Sequence, residues 1–294
     1  MTNFAYARFD QGVNDTSEYQ IGPEWGKKVI TQELFKTQSK VFQETTLRTA
    51  HLKTYSGIGT AFYIGKFNNH YVCATNYHIF HAAWEFQKID FDFYKKSFGL
   101  EKFFVALPEI DLALFSIQVT SPEEQSFFEN LSTQMAFDKP LLTNLKLLTI
   151  GYGAAGNPNS LLVANQDSDC RVYSQDGELR LQADPDGRNP TDYKAWSFAT
   201  GCDVSHGDSG SAMVDRSTGE ILGIIWTTHV PKSKKIQDPH YLKQMQKEHS
   251  EDIWQELSYA VPASKIAEVL KDWVKSGTVA IDTAKTLTEF LNKR

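Results

Sequence analysis

From Gly57 onward the chain alternates apolar and polar positions over short runs, whereas residues 1–50 are polar and mixed, punctuated by Gly22 and Pro23. Gly59-Thr60-Ala61-Phe62-Tyr63-Ile64-Gly65 and His70-Tyr71-Val72-Cys73-Ala74-Thr75-Asn76 flank the turn-forming Asn68-Asn69, which predicts a β-hairpin. Ile89–Tyr94, Phe103–Leu107 and Leu112–Ile117 continue this texture, and a second set of strands runs from Leu145–Ile150 to Ile221–Trp226. Short strands at this spacing, with no long helices between them, predict antiparallel barrels or a sandwich. Helices are expected around them. One spans Thr31–Thr45. Another starts at Ser121-Pro122-Glu123-Glu124, where Ser caps, Pro takes the first position and acids fill the first turn. After Pro262 and a capping Ser264, the residues Ile266, Val269, Leu270, Trp273 and Val274 recur at i, i+3, i+4, i+7 and i+8, an amphipathic helix stopped by Ser276-Gly277. A weaker helix covers Ala284–Leu291, and an insertion from Lys232 to Leu257 is expected to be helical in its second half.

The expected organisation is an N-terminal extension (1–50), a first β-barrel (51–120) and a linker helix (121–142). A second barrel (143–262) carries the insertion near 232–257, and C-terminal helices (263–294) complete the chain.

Composition narrows the functions available. Thirty Lys and Arg stand against 36 Asp and Glu, a formal net charge of −6, and broad binding to a phosphate backbone selects the opposite sign. Nucleic acid is therefore not an expected partner. No stretch approaches the length of apolar sequence that spans a membrane. Residues 1–8 lack a basic start followed by an apolar run, so no signal peptide is visible in this numbering. The three cysteines, at 73, 170 and 202, fit no metal motif.

Gly207-Asp208-Ser209-Gly210-Ser211 is the strongest chemical signal. A serine hydroxyl attacks well when a base takes its proton and donors receive the charge formed on the carbonyl oxygen. Flanking glycines let a tight turn present Ser209 and align the Gly207 and Ser209 N–H groups as an oxyanion hole. Alone, the pentapeptide is equally a plain Gly/Ser/Asp turn. Upstream, Thr75-Asn76-Tyr77-His78 closes a strand, and Asp111-Leu112-Ala113-Leu114 places an acid at the head of another.

With these residues in the order His, Asp, Ser, the chain resembles the chymotrypsin-like (trypsin-like) serine proteases. Over residues 55–273 it is most similar to the bacterial branch that includes glutamyl endopeptidases. There a Gly-Thr-x-Phe strand, a Thr-Asn-x-His turn and a Gly-x-Ser-Gly-Ser elbow recur, with a last strand like Ser258-Tyr259-Ala260-Val261-Pro262. The resemblance implies an all-β fold of two antiparallel six-stranded β-barrels with added N- and C-terminal helices. It implies a serine endopeptidase in which Ser209 is the nucleophile, His78 the general base, and Asp111 the group that fixes the His78 tautomer. Gly207 and Ser209 would form the oxyanion hole. No cofactor and no metal are expected, the partner is a protein or peptide substrate, and a monomer is the default oligomeric state. Asp90 and Asp92, on one polar strand face, compete for the acid role. His81 offers a second imidazole near His78, but no further ligands stand at zinc spacing.

Asp203 takes the family position at the base of the primary specificity pocket, where a carboxylate pairs with Arg or Lys; the alternative is that it is turned aside. Trp226, Thr227 and Thr228 occupy the strand that pairs with extended substrate. Ile225 stands where glutamyl endopeptidases carry a histidine, which argues against cleavage after Glu, and His229 is read as a surface residue. The resemblance also implies a Cys170–Cys202 disulfide, hence an oxidising, secreted or periplasmic location, the alternative being two buried thiols. Cys73 is expected to pack as a small hydrophobe. No Arg-Ile-Val-Gly-Gly-like processing site precedes Gly57. The extension is thus a regulatory or structural addition, or is removed by a different cut, and Asp208 needs some other partner than a new N-terminus. The rival reading is a catalytically silent or zymogen-form member of the fold serving as a binding module.

Two patterns are discounted. Gly151-Tyr152-Gly153-Ala154-Ala155-Gly156 matches a dinucleotide-binding glycine pattern, but Asn157-Pro158 breaks the helix that must follow. Asp184-Pro185-Asp186-Gly187 lacks the closing Glu of a calcium loop, and Lys232, Lys234 and Lys235 read as a solvated face.

Overall fold

Asn68 and Asn69 both take positive φ (46° and 67°), the conformation a two-residue hairpin turn demands and one that Asn tolerates. The computed structural model describes residues 27–53, 58–81, 88–153, 161–173, 178–182, 193–205, 207–228 and 258–293. The expected insertion at 232–257, the Asp184–Pro190 loop, His229 and Lys232, Lys234 and Lys235 lie outside them.

The first strands in chain order are β1 (Lys28–Val29), β2 (Thr49–Lys53), β3 (Ile58–Phe67), β4 (His70–Thr75), β5 (Lys88–Phe91), β6 (Lys96–Phe98), β7 (Leu100–Leu107) and β8 (Leu112–Ile117). They are followed by β9 (Leu147–Gly151), β10 (Val163–Asn165), β11 (Glu178–Gln182), β12 (Tyr193–Thr200), β13 (Ala212–Asp215), β14 (Ile221–Thr228) and β15 (Ser258–Pro262). They form two antiparallel sheets, the half-barrels of a chymotrypsin-like all-β fold. One runs β6-β5-β2-β3-β4-β8-β7 and the other β1-β10-β9-β13-β14-β15-β12-β11. Among the described residues the sheets hold seven and eight strands rather than six each. The short edge strand β6 returns from β5 through a turn at Lys95 (φ 57°), and β1 is added to the second sheet from the N-terminal extension.

Local chemistry accounts for the helices. The expected helix over Thr31–Thr45 is two: α1 (Gln32–Thr37) and α2 (Lys40–Arg48). Gln38 is extended and Ser39 Oγ accepts from Phe42 N at 3.3 Å, so a fresh N-cap restarts the chain in a new direction. After the one-turn α3 (Tyr77–His81) comes α4 (Pro122–Glu129), where Ser121 and Glu124 form a reciprocal capping box. This helix drives Phe128 into the first core, among Tyr63, Phe91 and Phe98. The amphipathic helix α5 (Ala263–Lys275) begins just after Pro262, one residue before the expected cap at Ser264, and buries Ile266 and Leu270. Finally α6 (Ile281–Asn292) lays Leu287 and Phe290 on the same core as α5. Among the described residues no helix is long and apolar enough to cross a membrane.

Candidate active site

Antiparallel pairing of β4 with β8 sets Thr75 opposite Ala113, which brings the residues just beyond those strand ends together. His78 lies in α3, directly after β4. Asp111 follows a 3-10 turn (Pro108–Ile110) and takes a left-handed backbone, φ 44° and ψ 44°, immediately before β8. That unusual conformation for a non-glycine residue is held in place by two donors to the Asp111 carbonyl, Asn76 Nδ2 and Tyr77 N, both at 3.0 Å. The carboxylate then grips His78 twice: Oδ1 accepts from the His78 backbone N–H at 2.9 Å, and Oδ2 lies 2.6 Å from Nδ1. Such a contact places the imidazole proton on Nδ1 and leaves Nε2 as the acceptor. Burial pulls the His78 pKa down, but the charge of Asp111 and its hydrogen bond outweigh it, so the imidazole titrates above its ordinary value. Neither competing acid reaches His78. Asp90 pairs with Lys53 at 2.9 Å and accepts from Ser97, and Asp92 accepts from the Tyr152 hydroxyl at 2.9 Å.

The turn carrying Ser209 belongs to the second sheet, just ahead of β13. Its backbone donors are engaged in alternation. Asp208 N donates to Ser205 O (3.0 Å), Gly210 N to Ile225 O (3.0 Å) and Ser211 N to Asp208 O (2.8 Å). Among the described residues the N–H groups of Gly207 and Ser209 have no such acceptor, so the turn leaves two donors open on either side of Asp208. Gly207 and Gly210 sit at φ 98° and 87°, and a side chain at Gly210 would collide with Thr60 O and Thr75 Oγ1. This close approach seats the turn against the end of β4 that leads into His78.

Thr60, on β3, is the clasp. Its N–H donates to Ser209 O at 3.0 Å and its hydroxyl donates to Gly207 O at 2.7 Å. The same hydroxyl accepts from Tyr152 N at 3.0 Å, and Thr60 O accepts from Thr75 Oγ1 at 2.7 Å. The two sheets are therefore registered at the Ser209 turn, against the end of β4. Ser209 Oγ makes no hydrogen bond to His78 among the described residues; in the absence of substrate such a bond is commonly long and tightens on binding.

Asp203 is buried, 2% exposed, and bound by Asn165 from both sides. Its N–H donates to Asn165 Oδ1 at 3.1 Å and its Oδ2 accepts from Asn165 Nδ2 at 3.3 Å. Sequence reading missed Asn165, because an Asn at a strand end carries no signal of a distant carboxylate. Beside Asp203, Cys202 and Cys170 form the expected disulfide, and Cys73 is buried in the first core. Trp226, whose Nε1 donates to Ser197 Oγ at 2.9 Å, opens the part of β14 that has outrun β13. Thr227 and Thr228 pair with Tyr259 and Ser258 of β15, while the pairing with β13 ends at Ile224. The β13-facing edge of this segment is unpaired among the described residues, an edge to which an extended peptide can add. The side chains of His81, Thr227 and Thr228 fall outside the described residues.

No protein-family model and no curated protein matches the chain in sequence. Solved structures do resemble it. The inactive form of the Rv3671c protease is 17% identical, with a TM-score of 0.51 over 83% of this chain and 97% of that one. The active form from M. tuberculosis is 16% identical, with a TM-score of 0.52 over 83% of this chain and 87% of that one. At this identity the likeness carries the chymotrypsin-like fold.

Proposed function

We propose that this chain is a serine endopeptidase that cleaves peptide bonds through an acyl-enzyme. The observations that support the reading are the Asp111 grip on His78 and a turn, packed against Thr60 and Thr75, whose Gly207 and Ser209 N–H groups are left open among the described residues. In this reading Ser209 Oγ attacks the scissile carbonyl while His78 Nε2 takes its proton. The carbonyl oxygen, now negative, is received by the Gly207 and Ser209 N–H groups. His78 then protonates the leaving amine, and a water repeats the sequence to release the acid. Trp226, Thr227 and Thr228 hold the substrate strand through their backbone. The fold shared with the Rv3671c protease agrees with this assignment. The Cys170–Cys202 disulfide favours an oxidising compartment, hence a secreted or periplasmic protein.

The test is intact-mass analysis after treatment with a fluorophosphonate. One adduct on the wild-type chain and none on Ser209→Ala supports the assignment. A folded wild type that takes no adduct overturns it in favour of a silent binding module.

The same reading gives Asp203 the primary specificity, for Arg or Lys before the cleaved bond. A buried carboxylate whose Oδ2 is oriented by the Asn165 amide suits a cationic side chain entering the pocket. Profiling with a peptide library is expected to show Arg/Lys preference, and Asp203→Ser to lose it by about a hundredfold or more, the scale of leaving a buried charge unpaired. An unchanged profile in the variant removes Asp203 from the pocket.

A further inference from the structure

The carboxylate of Asp208, next to Ser209, is buried in the turn that offers the two open N–H groups. It accepts from Ser205 N at 2.8 Å, Ser205 Oγ at 3.3 Å and Gly153 N at 3.1 Å. Its counter-charge comes from far away in sequence: Lys27 Nζ forms an ion pair with Oδ2, and the two side chains are only 3% and 2% exposed. Lys27 is delivered by strand pairing. Lys28 and Val29 of β1 pair with Ala164 and Val163 of β10, and Ile30 N donates to Leu162 O at 2.9 Å. The space for the pair is kept by Gly153, where any side chain would collide with both Lys27 Nζ and the Asp208 carboxylate. The glycine pattern from Gly151 to Gly153 thus serves close packing around a charge and not a dinucleotide.

We infer that Lys27 is a positioning residue that holds the Asp208–Ser209 turn in its competent shape, so that the chain needs no upstream cut to assemble its oxyanion site. This rests on the reading of Ser209 as nucleophile. The physical ground is that a buried carboxylate without a cation must be hydrated or turned out to water. Asp208 turning outward would carry the Gly207 and Ser209 N–H groups with it, because Asp208 lies between them. Lys27 touches no reacting atom; it acts through Asp208.

The experiment compares fluorophosphonate labelling of the full chain as wild type, Lys27→Met, Lys27→Gln and Lys27→Cys, the last before and after aminoethylation, which restores an amine at nearly the lysine length. Thermal unfolding checks each fold. The wild-type adduct is expected on a chain in which Lys27 is still internal. The maximal labelling rate of Lys27→Met is expected to fall about a hundredfold or more, the size of losing an oxyanion donor, while the inhibitor concentration for half-maximal rate changes little. Aminoethylation of Lys27→Cys is expected to restore the rate. Equal labelling of wild type and any folded uncharged variant overturns the inference, as does an adduct found only on chains cut between Lys27 and Gly57. So does loss of the fold in both Lys27→Met and Lys27→Gln, since Lys27 would then hold the barrel and not the turn. A folded wild type that takes no adduct removes the serine-protease reading itself, and this inference with it.

Discussion

His78→Ala is expected to lower peptide-bond hydrolysis by about 10⁶-fold, as far as Ser209→Ala does, and the double variant is expected to lose no more than either single one. In the proposed mechanism the hydroxyl and the imidazole act as one unit. Without Nε2 to take the proton, Ser209 Oγ is a weak nucleophile, and without Oγ the imidazole has nothing to deprotonate. The turn and its two open N–H groups are not built on the His78 side chain, so the residual rate reports what those donors achieve alone. Digestion of a peptide library followed by mass spectrometry measures it. Additive losses in the double variant mean that the two residues do not share a step.

Asp111→Asn is expected to cost about 10⁴-fold and to move the pH profile. Asn is among the few residues that tolerate the left-handed backbone of position 111 (φ 44°), so the variant spares the geometry and changes the charge. The amide no longer favours the tautomer that keeps Nε2 open, and it no longer stabilises the imidazolium. In the wild type, burial lowers the His78 pKa, but the Asp111 charge and hydrogen bond together raise it by more, so it lies above the ordinary imidazole value. The proposed base would work only when neutral, so the acid limb of the rate is expected to have its midpoint above the ordinary imidazole value, and in Asp111→Asn to move downward, because burial is then unopposed. The same shift contributes to stability. It is fully present below the ordinary imidazole value and is lost as pH rises through the raised one. A limb that stays put in Asp111→Asn dissociates Asp111 from the titrating group.

Much of the chain's local structure was legible in residues that fix their own conformation. Asn68-Asn69 supplied the hairpin turn, Ser121 and Glu124 capped α4, and the spacing of Ile266, Leu270 and Trp273 marked the buried face of α5. The candidates His78, Asp111 and Ser209 were readable from short motifs, Thr75-Asn76-Tyr77-His78, Asp111-Leu112-Ala113-Leu114 and Gly207-Asp208-Ser209-Gly210-Ser211, through their resemblance to the chymotrypsin-like serine proteases. The helix boundary at Gln38-Ser39 was readable in principle from Ser39 as a cap, but the apolar spacing on both sides masked it.

What the sequence by itself determined was therefore the strands, the turns and the candidate chemistry, all governed by preferences that act over a few residues. Only the tertiary structure decided which distant groups share a buried site. Lys27 meets Asp208 across 181 positions, Asn165 meets Asp203 across 38, and Thr60 clasps the turn across 147. The physical reason is burial itself. A carboxylate removed from water must find a cation or a donor wherever the packed sheets bring one, and nothing in the local chain says where that will be.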